Sequence, residues 1–184
     1  MEEKKIDGKV IYDGKIIKVF KDRVLCPNGN ESVREIVHHN GGAGVLLIND
    51  KEEILLVKQF RYAYKEELYE IPAGKLELNE DPYYAALREL EEETGNKANE
   101  LEYLGKIYPT CGYSDEVIYL YLAKNTKVTK TNFDEDEFIE SNFYPLDEVK
   151  IMIKDGKIKD AKTICALEYY SLLKGWFNWP LRKS

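Results

Sequence analysis

Residues 74–95 read GKLELNEDPYYAALRELEEETG, and this stretch predicts a loop followed by one well-bounded helix. Asp81 is suited to cap a helix N-terminus, and Pro82 is suited to the first helical position, where no backbone N–H is needed. Gly95 can adopt the left-handed conformation in which many helices end. The apolar residues between these signals form the inner side of the helix: Ala85, Ala86, Leu87 and Leu90. We therefore expect a helix that follows Asp81 and closes at Gly95.

Glutamates crowd one side of this predicted helix. Glu89, Glu92 and Glu93 are spaced i, i+3 and i+4, so a helix brings them to one face, within reach of one ion. Glu91 adds another negative charge at a place where a solvated acidic helix usually carries Lys, and we interpret Glu91 alone as a surface residue. A plain acidic surface is the alternative interpretation of the helix. Oxygen-rich clusters suit hard cations, and Mg²⁺ is the usual ion where phosphates complete its coordination.

The composition predicts a globular protein with an acidic surface. The chain has 184 residues, 43% of them hydrophobic, and a net charge of -7. This charge argues against a nucleic-acid partner, because phosphate backbones are bound by clustered Lys and Arg. No run approaches the roughly 18 apolar residues that cross a membrane. Three scattered cysteines, without a CxxC pair or an apolar signal segment after Met1, predict a cytoplasmic location.

Residues 4–39 read as short strands separated by turn signals at Asp13-Gly14 and Pro27-Asn28-Gly29. A small antiparallel sheet cannot bury both faces alone, so it should pack on the main domain or on a second subunit. We expect residues 1–40 to form antiparallel strands that dimerise, and residues 41–184 to form the main domain.

The main domain reads as an α+β layer sandwich, because its strands first cluster and then alternate with helices without a repeated βαβ unit. We interpret an aromatic tail at residues 176–180 as packing on the core. The predicted elements are a hairpin of strands at 44–49 and 54–61 around Asp50-Lys51-Glu52, strands at 68–71, 101–108, 117–122 and 138–144, and helices at 147–154 and 161–173.

The spacing of one set of residues resembles the Nudix box, a loop–helix–loop that carries metal-binding carboxylates. This set consists of Gly74, Glu80, Arg88, Glu89, Glu92, Glu93 and Gly95. The resemblance implies a Nudix-type α/β/α sandwich that cleaves a nucleoside diphosphate linked to another group, with two or three Mg²⁺ ions or with Mn²⁺ as a substitute. One position departs from the family pattern, since Asn96 stands where an aliphatic residue is usual; this affects packing at the helix end and not the ligands.

Segments 59–63, 70–74 and 108–116, with Pro109 beyond the box, resemble the ADP-ribose pyrophosphatase branch of this family. The branch implies hydrolysis of ADP-ribose to AMP and ribose 5-phosphate by a homodimer with exchanged N-terminal strands. Two alternatives stay open: a Nudix hydrolase of another nucleoside diphosphate sugar or of a dinucleotide, and a non-catalytic module that binds ADP-ribose or a nucleotide. The crowded glutamates argue against the second alternative, because a binding module does not need them together.

The same resemblance implies roles for individual residues. The metal ligands would be the Ala73 carbonyl, Glu89, Glu92, Glu93 and Glu137. The catalytic residues would be Arg88, which orients the helix carboxylates, and Glu92, Glu135 and Glu137. The substrate-binding residues would be Arg34 and Glu35 at the adenine end, Arg61 at a phosphate, and Glu70. A charged surface loop is the alternative for Glu135 and Glu137, and an ordinary surface arginine is the alternative for Arg61.

Overall fold

The structure is a computed structural model that describes residues 1–133 and 138–175. The predicted loop glutamates Glu135 and Glu137 and the aromatic tail at residues 176–180 lie outside the described residues. Within the described residues, no helix combines the length and the apolar character needed to cross a membrane. In chain order the elements are β1 (Lys4–Asp13), β2 (Ile17–Leu25), β3 (Glu31–His39), β4 (Gly42–Leu47), β5 (Glu53–Arg61), β6 (Glu66–Glu70), β7 (Ala73–Lys75), α1 (Pro82–Thr94), β8 (Asn96–Lys97), β9 (Glu102–Ile107), β10 (Ile118–Ala123), β11 (Lys127–Val128), β12 (Glu140–Pro145), α2 (Leu146–Lys154) and α3 (Ala161–Leu173).

Helices cover both faces of the central strands. One sheet has the strand order β7-β4-β10-β9, with β4 and β10 parallel, and another has the order β12-β5-β6. Neighbouring residues of a strand point to opposite faces, so Val45 packs in one apolar cluster with Leu90 of α1. Leu46 packs in a second cluster with Val149 of α2 and Ala166 of α3. The predicted α+β fold, an α/β/α sandwich, is confirmed.

The predicted hairpin around residues 50–52 is wrong in its pairing, although both strands are present. β4 and β5 belong to different sheets, and in the described part of the chain their ends share one isolated bridge between Ile48 and Ile54. Asn49 closes the turn, since its backbone N–H donates to the Glu53 carbonyl at 3.0 Å. The buried β4 pairs with β7 and β10, whereas β5 pairs with β12 and β6. Local hydrophobic patterning predicts strands but does not reveal which strands pair.

The first three strands form a separate antiparallel sheet in the order β1-β2-β3. The predicted turn signal Asp13-Gly14 falls at the end of β1, and Pro27-Asn28-Gly29 lies between β2 and β3. All ten residues of β1 are exposed, including apolar side chains such as Val10 and Ile11. The end of β3 attaches to the main domain, because the Val37 N–H donates to the Tyr113 carbonyl at 2.8 Å and the Asp115 N–H donates to the Val37 carbonyl at 3.1 Å.

Helix α1 begins and ends where the sequence predicts. The Asp81 carboxylate accepts a hydrogen bond from the Tyr83 N–H at 2.8 Å, and Gly95 follows the helix with φ of 65°. The unusual Asn96 is buried but satisfied, because its amide donates to the Thr94 carbonyl at 3.1 Å and accepts from the Thr126 hydroxyl at 3.1 Å. A local polar network therefore satisfies the buried amide at this position.

Gly95→Ala should lower the free energy of unfolding by about 1 kcal/mol or more, because an L-residue is strained at this positive φ. The added Cβ would also stand 3.2 Å from the Thr129 carbonyl oxygen. Urea unfolding of the two proteins measures the difference. Gly112→Ala is the control, since a Cβ there meets no heavy atom within 4 Å. Equal losses in the two variants would contradict the explanation.

Candidate active site

Arg88 joins three glutamates on the open side of α1. Its Nε and Nη2 donate to the two oxygens of Glu80, each at 3.1 Å. Its Nη1 donates to Glu89 at 2.7 Å and to Glu92 at 3.1 Å. Hydrogen bonds from Arg88 lower the pKa of Glu80 below its ordinary value. Burial alone would lower the pKa of Arg88, but its hydrogen bonds to Glu80 and the charge of Glu89 raise it. The guanidinium is therefore a permanent counter-charge that orients these carboxylates.

The backbone of β7 lies directly against the glutamates of α1. A Cβ built on Gly74 would overlap the Glu89 carboxylate, so a side chain at position 74 would displace that carboxylate from its present place. The Ala73 N–H donates to Glu93 Oε2 at 3.0 Å, and Glu93 is buried. The spacing of the motif thus places a strand backbone and a row of carboxylates face to face.

The chemistry of these groups fits a hard divalent cation. Glu89 and Glu92 accept hydrogen bonds from the same Nη1 atom of Arg88, so a cationic group already lies between them. Carboxylate and carbonyl oxygens are the ligands that Mg²⁺ prefers. Across residues 1–133 and 138–175, no three acidic, His or Cys side chains converge as a ready-made metal cage. The carboxylates are held instead by Arg88 and by the Ala73 N–H.

Two adjoining cavities flank β7, and both are bordered by Ile16, His39, Gly74 and Lys75. The first has a volume of about 440 Å³, and we call it the glutamate cavity because Arg88, Glu89 and Glu92 line it. The second has a volume of about 370 Å³, and we call it the arginine cavity. Its charged lining residues besides Lys75 are Arg61, Glu93, Glu116 and Lys162. The two cavities together form a polar cleft along β7.

A buried carboxylate holds two cations at the arginine cavity. The Glu70 side chain is only 2% exposed. Arg61 donates to both of its oxygens, from Nε at 2.6 Å and from Nη2 at 2.7 Å, and Lys162 Nζ also donates to it. Burial alone would raise the pKa of Glu70, but the hydrogen bond from Arg61 and the charge of Lys162 lower it below its ordinary value. Glu70 is therefore ionised, and it fixes the position of Arg61.

Arg34 and Glu35 lie away from α1 within one chain. Arg34 Nε donates to Glu3 Oε2 at 2.9 Å, inside the N-terminal sheet. Glu35 borders a cavity of about 610 Å³ against that sheet, together with Phe20 and Tyr113. Neither residue lines the glutamate or arginine cavity in the described structure. The fold of a single chain therefore does not bring the predicted adenine-end residues to the glutamates.

Two residues of the cleft have no signal in the sequence. His39 reads as a strand-end residue, yet it borders both cavities; its Nδ1 accepts from the Gly41 N–H at 3.0 Å and lies 3.4 Å from Glu116 Oε1. Lys162 reads as an ordinary helix residue, yet it reaches Glu70 from α3. These two residues can be recognised only from the tertiary structure, in which the end of β3 and the start of α3 lie beside β7.

Comparisons with known proteins agree with this arrangement. The NUDIX domain model matches residues 38–167 of the chain. An ADP-ribose pyrophosphatase of Bacillus subtilis (strain 168) is 42% identical over 174 residues, covering 94% of this chain and 94% of that protein. A methanol dehydrogenase activator of Bacillus methanolicus is 43% identical over 173 residues, covering 93% of this chain and 94% of that protein.

A solved structure shares the fold over almost the whole chain. The crystal structure of an ADP compounds hydrolase superposes with a TM-score of 0.82, covering 96% of this chain and 97% of that chain. Its sequence identity of 21% makes this a likeness of fold alone. The matched region covers 96% of this chain, so the shared fold extends over most of the N-terminal sheet as well as the main domain.

Glu70→Gln should lower the free energy of unfolding at pH 7 by about 3 kcal/mol, because Arg61 and Lys162 lose a shared, buried counter-charge. The lowered pKa of Glu70 means that its carboxylate stabilises the fold above the unfolded-state pKa and loses this effect as the pH falls through the folded-state pKa. The difference between the two proteins should therefore shrink below about pH 4. Urea unfolding at a series of pH values measures it.

Glu67→Gln is the matched control, because that side chain is 58% exposed and pairs only at the surface with Lys58. This variant should unfold like the wild type at every pH. A loss for Glu70→Gln that does not depend on pH would contradict an ionised Glu70.

Proposed function

The chain belongs to the NUDIX domain family, and we propose from that premise that it hydrolyses the diphosphate of ADP-ribose to AMP and ribose 5-phosphate. The observation that carries this proposal is the set of α1 glutamates held by Arg88 against the Gly74 backbone. The substrate follows from the ADP-ribose pyrophosphatase that is 42% identical over 94% of this chain. Water adds across the phosphoric anhydride: its oxygen joins one phosphorus, and the bridging oxygen leaves with the other phosphate.

Nudix hydrolases generally use divalent metal, and for this chain we propose Mg²⁺, as two or three ions, with Mn²⁺ as a substitute. The residues that would hold the ions are the Ala73 carbonyl, Glu89, Glu92, Glu93 and Glu137. When bound, the ions neutralise phosphate charge and lower the pKa of the attacking water. The lining of the glutamate cavity supports this proposal, since Glu89 and Glu92 offer carboxylate oxygens there, the ligands that Mg²⁺ prefers.

The protein groups have separate tasks in this proposal. Arg88 positions Glu89 and Glu92 through the hydrogen bonds of its Nη1. Arg61 binds a phosphate oxygen with the nitrogen that Glu70 leaves unused, because Glu70 takes Nε and Nη2. The proton of the attacking water passes to a glutamate, for which Glu92, Glu135 and Glu137 are the candidates. No covalent bond to the enzyme is needed.

We also propose that residues 1–40 are dimerising strands exchanged between two copies and that residues 41–184 are the hydrolase domain. The exposed apolar side chains of β1, Ile6, Val10, Ile11 and Tyr12, support this, because such a surface is usually covered in solution. Exchange would also give Arg34 and Glu35 a route to the adenine end of a substrate bound in the second copy.

The cysteines support a cytoplasmic location, which we propose on redox grounds. Cys26, Cys111 and Cys165 are free thiols, and Cys111 is exposed. Free exposed thiols are kept reduced in the cytoplasm.

Glu93→Gln should reduce AMP release from ADP-ribose with Mg²⁺ by about 100-fold or more, because it removes a charged ligand that faces the cleft. Wild type should prefer ADP-ribose over ADP-glucose and NAD⁺ in the same assay. Glu91→Gln is the control, because the Glu91 carboxylate accepts a hydrogen bond from Lys97 at 2.9 Å. The turnover of this variant should stay within about twofold of wild type.

The comparison of the three compounds also distinguishes the proposed hydrolysis from cleavage of another substrate and from binding without cleavage. Preferred cleavage of ADP-glucose or NAD⁺ would assign another nucleoside diphosphate sugar or a dinucleotide as the substrate. If wild type leaves all three compounds intact but binds ADP-ribose in calorimetry, the chain is a binding module and the proposed hydrolysis is wrong.

Wild type should sediment as a dimer, and Ile11→Glu should sediment as a monomer, because the substitution puts a charge into the apolar surface of β1. Sedimentation velocity at several concentrations measures the state. Ile151→Glu is the control, since Ile151 is 58% exposed on α2, outside the N-terminal sheet. A wild-type monomer at all concentrations, or an equal effect of both substitutions, would refute the proposed interface.

A further inference from the structure

The arginine cavity is lined by charges of both signs, and Lys75 of β7 is one of its basic residues. Glu93 and Glu116 line it from α1 and from the segment before β10. Arg61 and Lys162 line it from β5 and α3. A metal–diphosphate complex also carries charges of both signs, on its cations and on its phosphate oxygens. The cavity therefore matches the charge pattern of such a ligand.

Lys162 is held rigidly at this cavity. Its side chain is 11% exposed, and its Nζ donates to Glu70 and, at 2.9 Å, to Asp160. Asp160 is itself fixed, because its other oxygen accepts from the Thr163 hydroxyl at 2.6 Å. The Thr163 hydroxyl in turn accepts from the Ile71 N–H at 2.8 Å, which ties α3 to the segment before β7. A long side chain that usually moves freely is thus ordered before any ligand binds.

Lys162 has a hydrogen-bond donor beyond those used in its ion pairs. Arg61 pairs with both oxygens of Glu70, and Lys162 pairs with Glu70 and Asp160. An ammonium group has three N–H donors, and Glu70 and Asp160 account for two of them. Within residues 1–133 and 138–175 no other group takes the third donor, and Lys162 lines the cavity. This ammonium group is therefore suited to bind an oxygen of a ligand.

We propose that Lys162 binds a non-bridging phosphate oxygen of the substrate beside Arg61, with Glu70 as the shared anchor of both cations. The proposal rests on the proposed hydrolysis and adds a ligand from α3 to it. Lysine acts as a point charge and arginine as a planar fork, so the two together hold an anion at different angles. The pair would fix the diphosphate against the cations expected on the α1 side.

Lys162→Met tests this, because methionine keeps an unbranched side chain of similar length and removes the charge. Two quantities are measured: KM for ADP-ribose, and the affinity for inorganic phosphate by calorimetry without metal. KM should rise, and the affinity for phosphate should fall, each by about 10- to 100-fold. Lys162→Arg should recover part of each loss. Lys159→Met is the matched control, since Lys159 is 54% exposed, pairs with Glu66 at 2.8 Å, and should behave like wild type.

A measurement on the wild type keeps the test valid if Lys162→Met does not fold. Inorganic phosphate should shift the side-chain NMR signals of Lys162 and Arg61, and those of Lys159 should stay unchanged. Phosphate that moves none of these signals would overturn the proposal. Unchanged KM and phosphate affinity in Lys162→Met, with or without a loss of stability, would also overturn it and leave Lys162 with a purely structural role.

The outcomes separate this proposal from the proposed function. If wild type hydrolyses ADP-ribose while Lys162→Met keeps its KM and its phosphate affinity, the hydrolysis stands and the Lys162 proposal fails. If wild type cleaves no ADP-ribose but loses phosphate affinity on substitution of Lys162, the anion site stands and the proposed function fails.

Discussion

The close approach of the β7 backbone to helix α1 is the constraint on which the site depends. Gly74 has no side chain, so the Glu89 carboxylate can lie against its Cα, and the Ala73 N–H reaches Glu93. Any larger residue at position 74 would push the helix or the carboxylate away. β7 is an edge strand of the β7-β4-β10-β9 sheet, and α1 packs through Leu90 against Val45 of the neighbouring strand β4.

Electrostatic balance is the second requirement. Like charges at i, i+3 and i+4 destabilise a helix, and three glutamates of α1 have this spacing. Arg88 offsets that repulsion, because its fork contacts Glu80, Glu89 and Glu92 at once. A divalent cation would compete with or join this guanidinium at the same carboxylates. The helix is thus stable as a folded unit and still offers oxygen ligands.

The other side of β7 uses the reverse arrangement, in which one buried carboxylate organises cations. Glu70 fixes Arg61 and Lys162, and the short path from Thr163 to Ile71 joins this group to the strand that carries Ala73. The two charge systems lie on either side of a few residues of backbone. The cleft along β7 therefore carries acidic and basic side chains close together.

Local patterns in the sequence were sufficient for the bounds of helix α1 and for the spacing of its glutamates. Asp81, Pro82 and Gly95 act within one or two turns of the chain, so the bounds of α1 could be read directly. The shared face of Glu89, Glu92 and Glu93 follows from helical periodicity, and the motif spacing then indicated the family. Most strand positions were also predictable, because alternation and turn residues are local signals.

Tertiary structure alone decided which distant segments meet. The strands on either side of residues 50–52 enter different sheets, because their partners are set by burial against β7, β10, β6 and β12 and not by proximity in the chain. His39 and Lys162 reach the cleft only because β3 and α3 dock beside β7. Contacts between residues far apart in sequence depend on the packing of the whole core, and no local pattern contains that information.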